Sequence, residues 1–147
     1  MRRVFLVLSL LPLSAWAMFF PAGGIHINSP QIVSLSIGGL GMNTMSGLGS
    51  ATAAVIRLEP GIGGGKINIG FKSVVRFSVM PLSTFEIDGS LLRTWGSTWG
   101  APSGQTYAGG ELRIGVSFIF ASAGMYKHIA GDGEDDNLFT FGVGAGI

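Results

Sequence analysis

The last ten residues alternate between apolar side chains and small or polar ones. In "LFTFGVGAGI" (138–147), every second position from Phe139 to Ile147 is apolar, and the positions between them hold Thr140 and three glycines. Successive side chains of a β-strand point to opposite faces, so this stretch predicts a strand with one apolar face and one nearly bare face. A half-exposed sheet in a soluble protein normally has polar groups on its second face. The pattern therefore predicts an apolar environment on one side and close packing on the other.

The same alternation recurs along the chain after residue 17. No stretch there combines a helical period with capping residues, so an all-β fold is predicted. The closing stretch completes a set of eight candidate strands. The other seven are "QIVSLSIGG" (31–39), "ATAAVIRLE" (51–59), "GKINIGF" (65–71), "VVRFSV" (74–79), "TFEIDGSLLRTW" (84–95), "YAGGELRIGVSF" (107–118) and "ASAGMYKHI" (121–129).

Segments rich in glycine, proline and polar residues separate most of these strands. "PGIGG" (60–64) and "PLS" (81–83) are short, and we expect the three longer segments to lie together at the end opposite the termini. A tight turn is needed at 72–74, where the sequence has no turn residue and one long strand is the alternative. The turn at 118–120 is equally unmarked. The longer segments are "MNTMSGLGS" (42–50), "GSTWGAPSG" (96–104) and "AGDGEDDN" (130–137).

Composition limits how such strands can be arranged. Charged residues make up 12% of the 147 residues, against about 25% in ordinary soluble domains, and the mean hydropathy is +0.51. The chain has room for one domain and contains no cysteine, so disulfides cannot hold a thin core together. Closing the sheet pairs all its backbone donors and acceptors. We therefore predict an up-and-down antiparallel transmembrane β-barrel of eight strands.

The first 17 residues are typical of a secretory signal peptide. "MRR" is basic, residues 4–13 form a short apolar core, and Ala15-Trp16-Ala17 resembles a cleavage site. A buried N-terminal helix is the alternative. We therefore expect a signal peptide at 1–17 and a barrel domain at 18–147. Without Arg2 and Arg3, seven basic residues stand against eight acidic ones, so nothing indicates nucleic-acid binding.

The alternation assigns a direction to each side chain of the predicted barrel. Charged residues on the glycine-rich face should fill the lumen and neutralise one another. Apolar residues on the other face should contact lipid, with aromatic residues at the membrane–water interface. Gly142 and Gly144 should face the lumen, with room for a serine at Gly142. The predicted lumen residues are Arg57, Glu59, Lys66, Arg76, Glu86, Asp88, Glu111 and Arg113; the lipid-facing residues are Ile67, Ile69, Phe71, Val75, Phe77, Val79, Phe139, Phe141 and Val143; the interfacial aromatics are Trp95, Trp99 and Tyr107.

With these features the chain resembles the small eight-stranded outer-membrane β-barrel proteins of Gram-negative bacteria. The segments "MRRVFLVLSLLPLSAWA", "LEPGIGGGKINIGF" and "FTFGVGAGI" carry the resemblance, which spans the mature chain as a pattern. Members of this class typically end in an aromatic residue, whereas this chain ends in Ile147. The resemblance implies a porin-like protein exported to the outer membrane. Its implied partners are outer-membrane lipid, lipopolysaccharide and the barrel-assembly machinery.

Some small barrels of this class are lipid A deacylases with a histidine and a serine two residues apart on a late strand. Here Ala130 stands two residues after His128, and without a nucleophile the acyl transfer fails. We therefore expect no catalytic residue and no enzyme activity.

Three further patterns suggest binding sites, and each has a simpler explanation. "DGEDDN" (132–137) concentrates carboxylates without the spacing of a calcium loop, so a solvated loop is expected. "EPGIGGGK" (59–66) lacks the serine or threonine that ends a phosphate loop. Trp95 and Trp99 could instead stack on a carbohydrate or a lipid. We expect no cofactor and no metal site.

The sequence thus favours an outer-membrane barrel with a structural or surface-interaction role and a lumen filled by side chains. The alternative is a secreted soluble barrel that binds a small apolar ligand, as lipocalins do. That class would place its apolar residues inside and its charges outside. The low charge content favours the membrane protein, because a soluble exterior needs more charged residues.

Overall fold

The computed structural model describes residues 19–46, 50–75, 83–96, 98–132 and 137–146. Within these ranges the chain forms strands and turns, and no helix there is long and apolar enough to cross a membrane. The eight strands are β1 (Phe19–Asn28), β2 (Ile32–Ser46), β3 (Ser50–Pro60), β4 (Gly64–Val75), β5 (Ser83–Thr94), β6 (Thr106–Val116), β7 (Ile119–Ala130) and β8 (Asn137–Gly146).

Each strand pairs antiparallel with the next along the chain, and β8 pairs with β1 to close the barrel. The closing register runs from Gly24 opposite Gly146 to Asn28 opposite Gly142. This is the predicted all-β, up-and-down barrel of eight strands, and the prediction of fold class is confirmed. Closure removes the free sheet edges that would otherwise pair with other chains.

Two of the predicted strands need correction. The segment 72–74 contains no turn, because β4 continues to Val75 along β3 and β5. Most of the predicted strand 74–79 lies outside the described residues. The eighth strand is instead β1, where Ile25 and Ile27 alternate with His26 and Asn28.

The extra strand at the start changes which connections share an end. The terminal end of the barrel holds the beginnings of β1, β3 and β5, the ends of β2, β4 and β8, and the connection 117–118. The loop end holds the connections 29–31, 61–63 and 95–105, the end of β7 and the beginning of β8. The predicted grouping of the three longer segments is therefore wrong, because within 42–50 β2 ends and β3 begins at the terminal end, whereas the strands that flank the other two segments meet at the loop end.

Glycines on the inward face leave room for long side chains of neighbouring strands. A Cβ atom at Gly70 would lie 2.3 Å from Asp88 Oδ1, and one at Gly38 would lie 3.2 Å from the Cβ atom of Arg57. At Gly142 a Cβ would lie 2.6 Å from the Cβ of Asn28. The expectation that Gly142 has room for a serine is therefore wrong, because β1 packs against that position.

We predict that Gly144→Leu and Val143→Leu differ sharply, although the two positions are adjacent. Val143 is 58% exposed on the outside, whereas a Cβ at Gly144 would lie 2.5 Å from Phe120 Cζ and 2.7 Å from the Ile25 carbonyl oxygen. Overfilling of a packed interior typically costs about 1–3 kcal/mol. Gly144→Leu should therefore lower the folding yield in detergent, read from heat-modifiable gel mobility, and Val143→Leu should leave it unchanged. A damaging Val143→Leu would contradict the assignment of the two faces.

Candidate functional site

Four charged side chains from three strands meet in the middle of the lumen. Glu59 of β3, Lys66 of β4, and Glu111 and Arg113 of β6 are all buried. Lys66 Nζ lies 3.1 Å from Glu59 Oε2 and 2.5 Å from Glu111 Oε2. Arg113 Nη2 donates hydrogen bonds of 2.7 Å to Glu59 Oε1 and 2.9 Å to Glu111 Oε1. In this central charge layer two cations neutralise two carboxylates, as buried charges require.

A second ionic cluster adjoins the central charge layer on its terminal side. Arg57 Nη2 pairs with Glu86 and lies 3.8 Å from Asp88 Oδ2, while Arg57 Nη1 lies 3.5 Å from Glu59 Oε1. Arg57, Glu86 and Asp88 are all buried. Arg57 therefore links both clusters into one ionic network inside the barrel.

Aromatic and histidine side chains pack around these ions. The Tyr126 hydroxyl donates a 3.0 Å hydrogen bond to Glu111 Oε2. His26 Nδ1 lies 3.6 Å from Glu59 Oε2, and the His26 ring meets the ring of Phe120 edge-on at 4.6 Å between centroids. Arg113 also lies over that ring, 4.6 Å from its centroid. The network is thus held from β1 and β7 as well as from the strands that carry its charges.

A small apolar cluster fills the lumen toward the loop end. It consists of Leu92, Tyr107, Tyr126 and Leu138, and Ala101 of the 95–105 connection packs against it. The predicted interfacial position of Tyr107 is therefore corrected, because this side chain is buried inside the barrel. Tyr107 has the same strand parity as Glu111 and Arg113, so it shares their inward face.

The 95–105 connection is tied down across the loop end by hydrogen bonds. Thr94 Oγ1 donates to the Pro102 carbonyl at 2.7 Å, and Ser29 Oγ donates to the Trp99 carbonyl at 2.6 Å. The Trp99 amide donates to the Pro30 carbonyl at 3.1 Å. These bonds fix the connection whose Ala101 packs against the apolar cluster.

The described residues line a small cavity inside the barrel toward the terminal end. A cavity of about 30 Å³ is lined by Arg57, Lys72, Glu86, Arg113 and Phe120, among others. One water molecule needs roughly 10–15 Å³ of such volume. The cavity therefore accommodates about two water molecules.

Most of the predicted lumen residues meet in the ionic network, and most of the predicted lipid-facing residues lie outside. Arg76, Phe77 and Val79 fall outside the described residues, and Val75 is partly buried. Trp95 and Trp99 are 44% and 61% exposed. The residues found inside are Arg57, Glu59, Lys66, Glu86, Asp88, Glu111 and Arg113; the exposed ones are Ile67, Ile69, Phe71, Phe139, Phe141 and Val143.

Sequence reasoning missed several polar residues of the interior. Gln31 Nε2 donates to the Glu59 carbonyl at 2.6 Å, and its side-chain oxygen accepts a 3.0 Å hydrogen bond from Asn28 Nδ2. Asn68 Oδ1 accepts one of 2.6 Å from Ser90 Oγ. Asn28 has the same strand parity as His26, and Asn68 has the same strand parity as Lys66. This shared parity is the signal that could have identified the two asparagines as inward-facing.

The other candidate sites from the sequence are His128 and the acidic segment 132–137. His128 Nε2 lies 2.7 Å from Gln105 Oε1, and the residue two positions later is Ala130. Residues 133–136 of the acidic segment lie outside the described residues. Elsewhere in the described ranges, no group of three or more histidine or carboxylate side chains could hold a metal ion.

Comparisons with known protein families, with curated proteins and with solved structures found no match to this chain.

We predict that Arg113→Ala strongly destabilises the folded barrel. The change leaves the two carboxylates of the central charge layer, Glu59 and Glu111, with one of its two cations, Lys66, and breaking a buried ion pair in this way costs about 3–5 kcal/mol. Urea unfolding in detergent should show this loss. Lys127→Ala, at an exposed position of β7, should change the free energy of unfolding by less than about 0.5 kcal/mol. Equal losses in the two variants would mean that the network does not stabilise the barrel.

Proposed function

We propose that this protein is an outer-membrane β-barrel of a Gram-negative bacterium with a structural or surface-interaction role. The observation that carries the proposal is the direction of the alternation around the closed barrel. Ionic groups are buried inside, and large apolar side chains are exposed outside. Lipid is the solvent in which such an exterior is stable.

The exposed apolar side chains surround the whole barrel. Every strand contributes at least two of them in the described ranges, so they form a continuous band. The largest apolar patch of a typical soluble monomer covers about 300–600 Å² and is confined to one site. Examples from each strand are Ile25 and Ile27 (β1), Leu35 and Ile37 (β2), Ile56 and Leu58 (β3), Ile67 and Ile69 (β4), Phe85 and Ile87 (β5), Leu112 and Ile114 (β6), Met125 and Ile129 (β7), and Phe139 and Phe141 (β8).

The charges of the outer face support the same proposal. In the described ranges, the exposed cations Arg93 and Lys127 lie in the strand halves nearer the loop end. The central parts of the strands are apolar outside. A band of this kind, with charged groups toward its margin, matches the apolar belt of an outer-membrane barrel.

The second candidate is a secreted soluble barrel that binds an apolar ligand. Such a protein would need an apolar lumen with free volume. Here the middle of the lumen holds the central charge layer, and the cavity toward the terminal end is about 30 Å³. Both observations favour the membrane protein.

The proposed barrel has no catalytic role and no wide pore. The ionic network and the Leu92–Tyr107–Tyr126–Leu138 cluster fill successive levels of the lumen. Eight-stranded barrels have interiors just wide enough for side chains to fill. We further propose that residues 1–17 direct export, and that outer-membrane lipid, lipopolysaccharide and the assembly machinery are the partners.

We predict that Ile69→Arg impairs membrane insertion. Ile69 is 61% exposed near the middle of β4, and a cation on the lipid face at the bilayer midplane costs roughly 2–4 kcal/mol. The wild-type protein and Ser103→Arg, at an exposed loop position, should float with vesicles in a density gradient. Ile69→Arg should float much less.

A soluble barrel would give the reverse result. Replacing a water-exposed isoleucine with arginine would then improve solubility, and neither the wild-type protein nor the variant would float. That outcome would contradict the proposal.

A further inference from the structure

A shallow apolar groove runs along the outside of β3, β4 and β5 near the loop end. Its volume is about 450 Å³, within the size range of about 300–1,000 Å³ that is usual for small-molecule sites. The apolar side chains along it are Ile37, Leu58, Pro60, Ile67, Leu91 and Trp95.

Gly65 lines this groove beside Trp95. It pairs with Pro60 on one side and with Arg93 on the other. The Trp95 indole lies against Gly65, because a Cβ atom there would come within 2.3 Å of Trp95 Cη2. The Trp95 amide donates a 3.1 Å hydrogen bond to the Gly63 carbonyl. The indole thus has a defined position at the rim.

The cationic side chain of Arg93 lies at the same rim. Arg93 is exposed, and its Nη1 donates a 2.6 Å hydrogen bond to Thr106 Oγ1. A guanidinium has five N–H donors in a fixed fork. Among the described residues, no carboxylate lies within 4.0 Å of Arg93. Thr106 therefore holds the guanidinium at the rim, and its other N–H donors have no carboxylate partner among the described residues.

We propose that Arg93, Trp95 and the groove form a docking site for one anionic membrane lipid. The phosphate of the headgroup binds the Arg93 guanidinium, which suits phosphate through paired N–H donors. One acyl chain lies in the apolar groove, and Trp95 lies at the level where headgroups meet chains. Charge complementarity selects an anionic headgroup, and the apolar groove selects a lipid over free phosphate.

This inference rests on the proposed membrane location, but its test does not require insertion into a bilayer. The three tryptophans of the chain are Trp16, Trp95 and Trp99, so the full chain with Trp16→Phe and Trp99→Phe reports from Trp95 alone. The protein is folded in dodecyl maltoside, an uncharged detergent without phosphate. It is then titrated with brominated phosphatidylglycerol, whose bromine atoms quench the indole on contact.

Arg93→Gln should weaken the apparent affinity for this lipid about fivefold, since one basic residue near an anionic lipid surface contributes roughly that factor. Lys127→Gln removes an exposed cation of β7 outside the groove and should leave the affinity unchanged. Brominated diacylglycerol, which has the same chains without phosphate, should bind more weakly and be insensitive to Arg93→Gln.

Three results would overturn the inference. If Arg93→Gln and Lys127→Gln weaken the affinity for the lipid equally, the attraction is non-specific. If neither variant changes the affinity, Arg93 does not bind the headgroup. Relief of the quenching by equimolar inorganic phosphate would mean a site for free anions. Flotation with vesicles, measured separately, distinguishes failure of this site from failure of the proposed membrane location.

Discussion

The ion pairs around Glu59 are the interaction on which the rest of the interior depends. Closure of eight strands leaves a lumen so narrow that charged side chains from opposite strands must touch. Arg113 and Lys66 both contact Glu59 and Glu111, and this arrangement joins β3, β4 and β6 across the barrel. Two cations shared by two carboxylates reduce the electrostatic penalty that any one buried charge would cause.

Space inside the barrel follows from the same constraint. Two of the long side chains that enter the lumen lie opposite a glycine of the neighbouring strand, Arg57 opposite Gly38 and Asp88 opposite Gly70. The inward glycines and these charged side chains are therefore complementary, because the charged side chains fill space that the glycines leave. A cavity of about 30 Å³ lies among the described residues toward the terminal end.

The fold was largely predictable because the two faces of a pleated strand appear in the sequence as alternating residue types. Glu111 and Arg113 alternate with Leu112 and Ile114, and this parity alone assigns the four side chains to opposite faces. The same parity assigns Tyr107 to the inside of the barrel. Its predicted interfacial position was wrong because that prediction followed from its aromatic side chain and not from its place in the alternation of β6.

Connections were harder to predict, because turn geometry is not always marked by residue type. Ser117 has a φ of 57° in the two-residue turn between β6 and β7, a conformation that usually selects glycine or asparagine. Lys72 and Ser73 carry no apolar alternation, yet they continue β4 because β3 and β5 flank them. The partners of each ion pair also depend on register, which the sequence of one strand does not contain.

What surrounds the barrel can be measured at its outer face. The chain contains no cysteine, so single cysteines at Ile67, Ile69 and Phe71 can each carry a spin label in protein reconstituted into vesicles. A lipid-facing surface predicts that oxygen reaches these labels readily and that a water-soluble nickel complex does not, whereas a label at Ser103 in the loop shows the reverse. Access of the nickel complex to Ile69 equal to its access to Ser103 would contradict a membrane-embedded barrel.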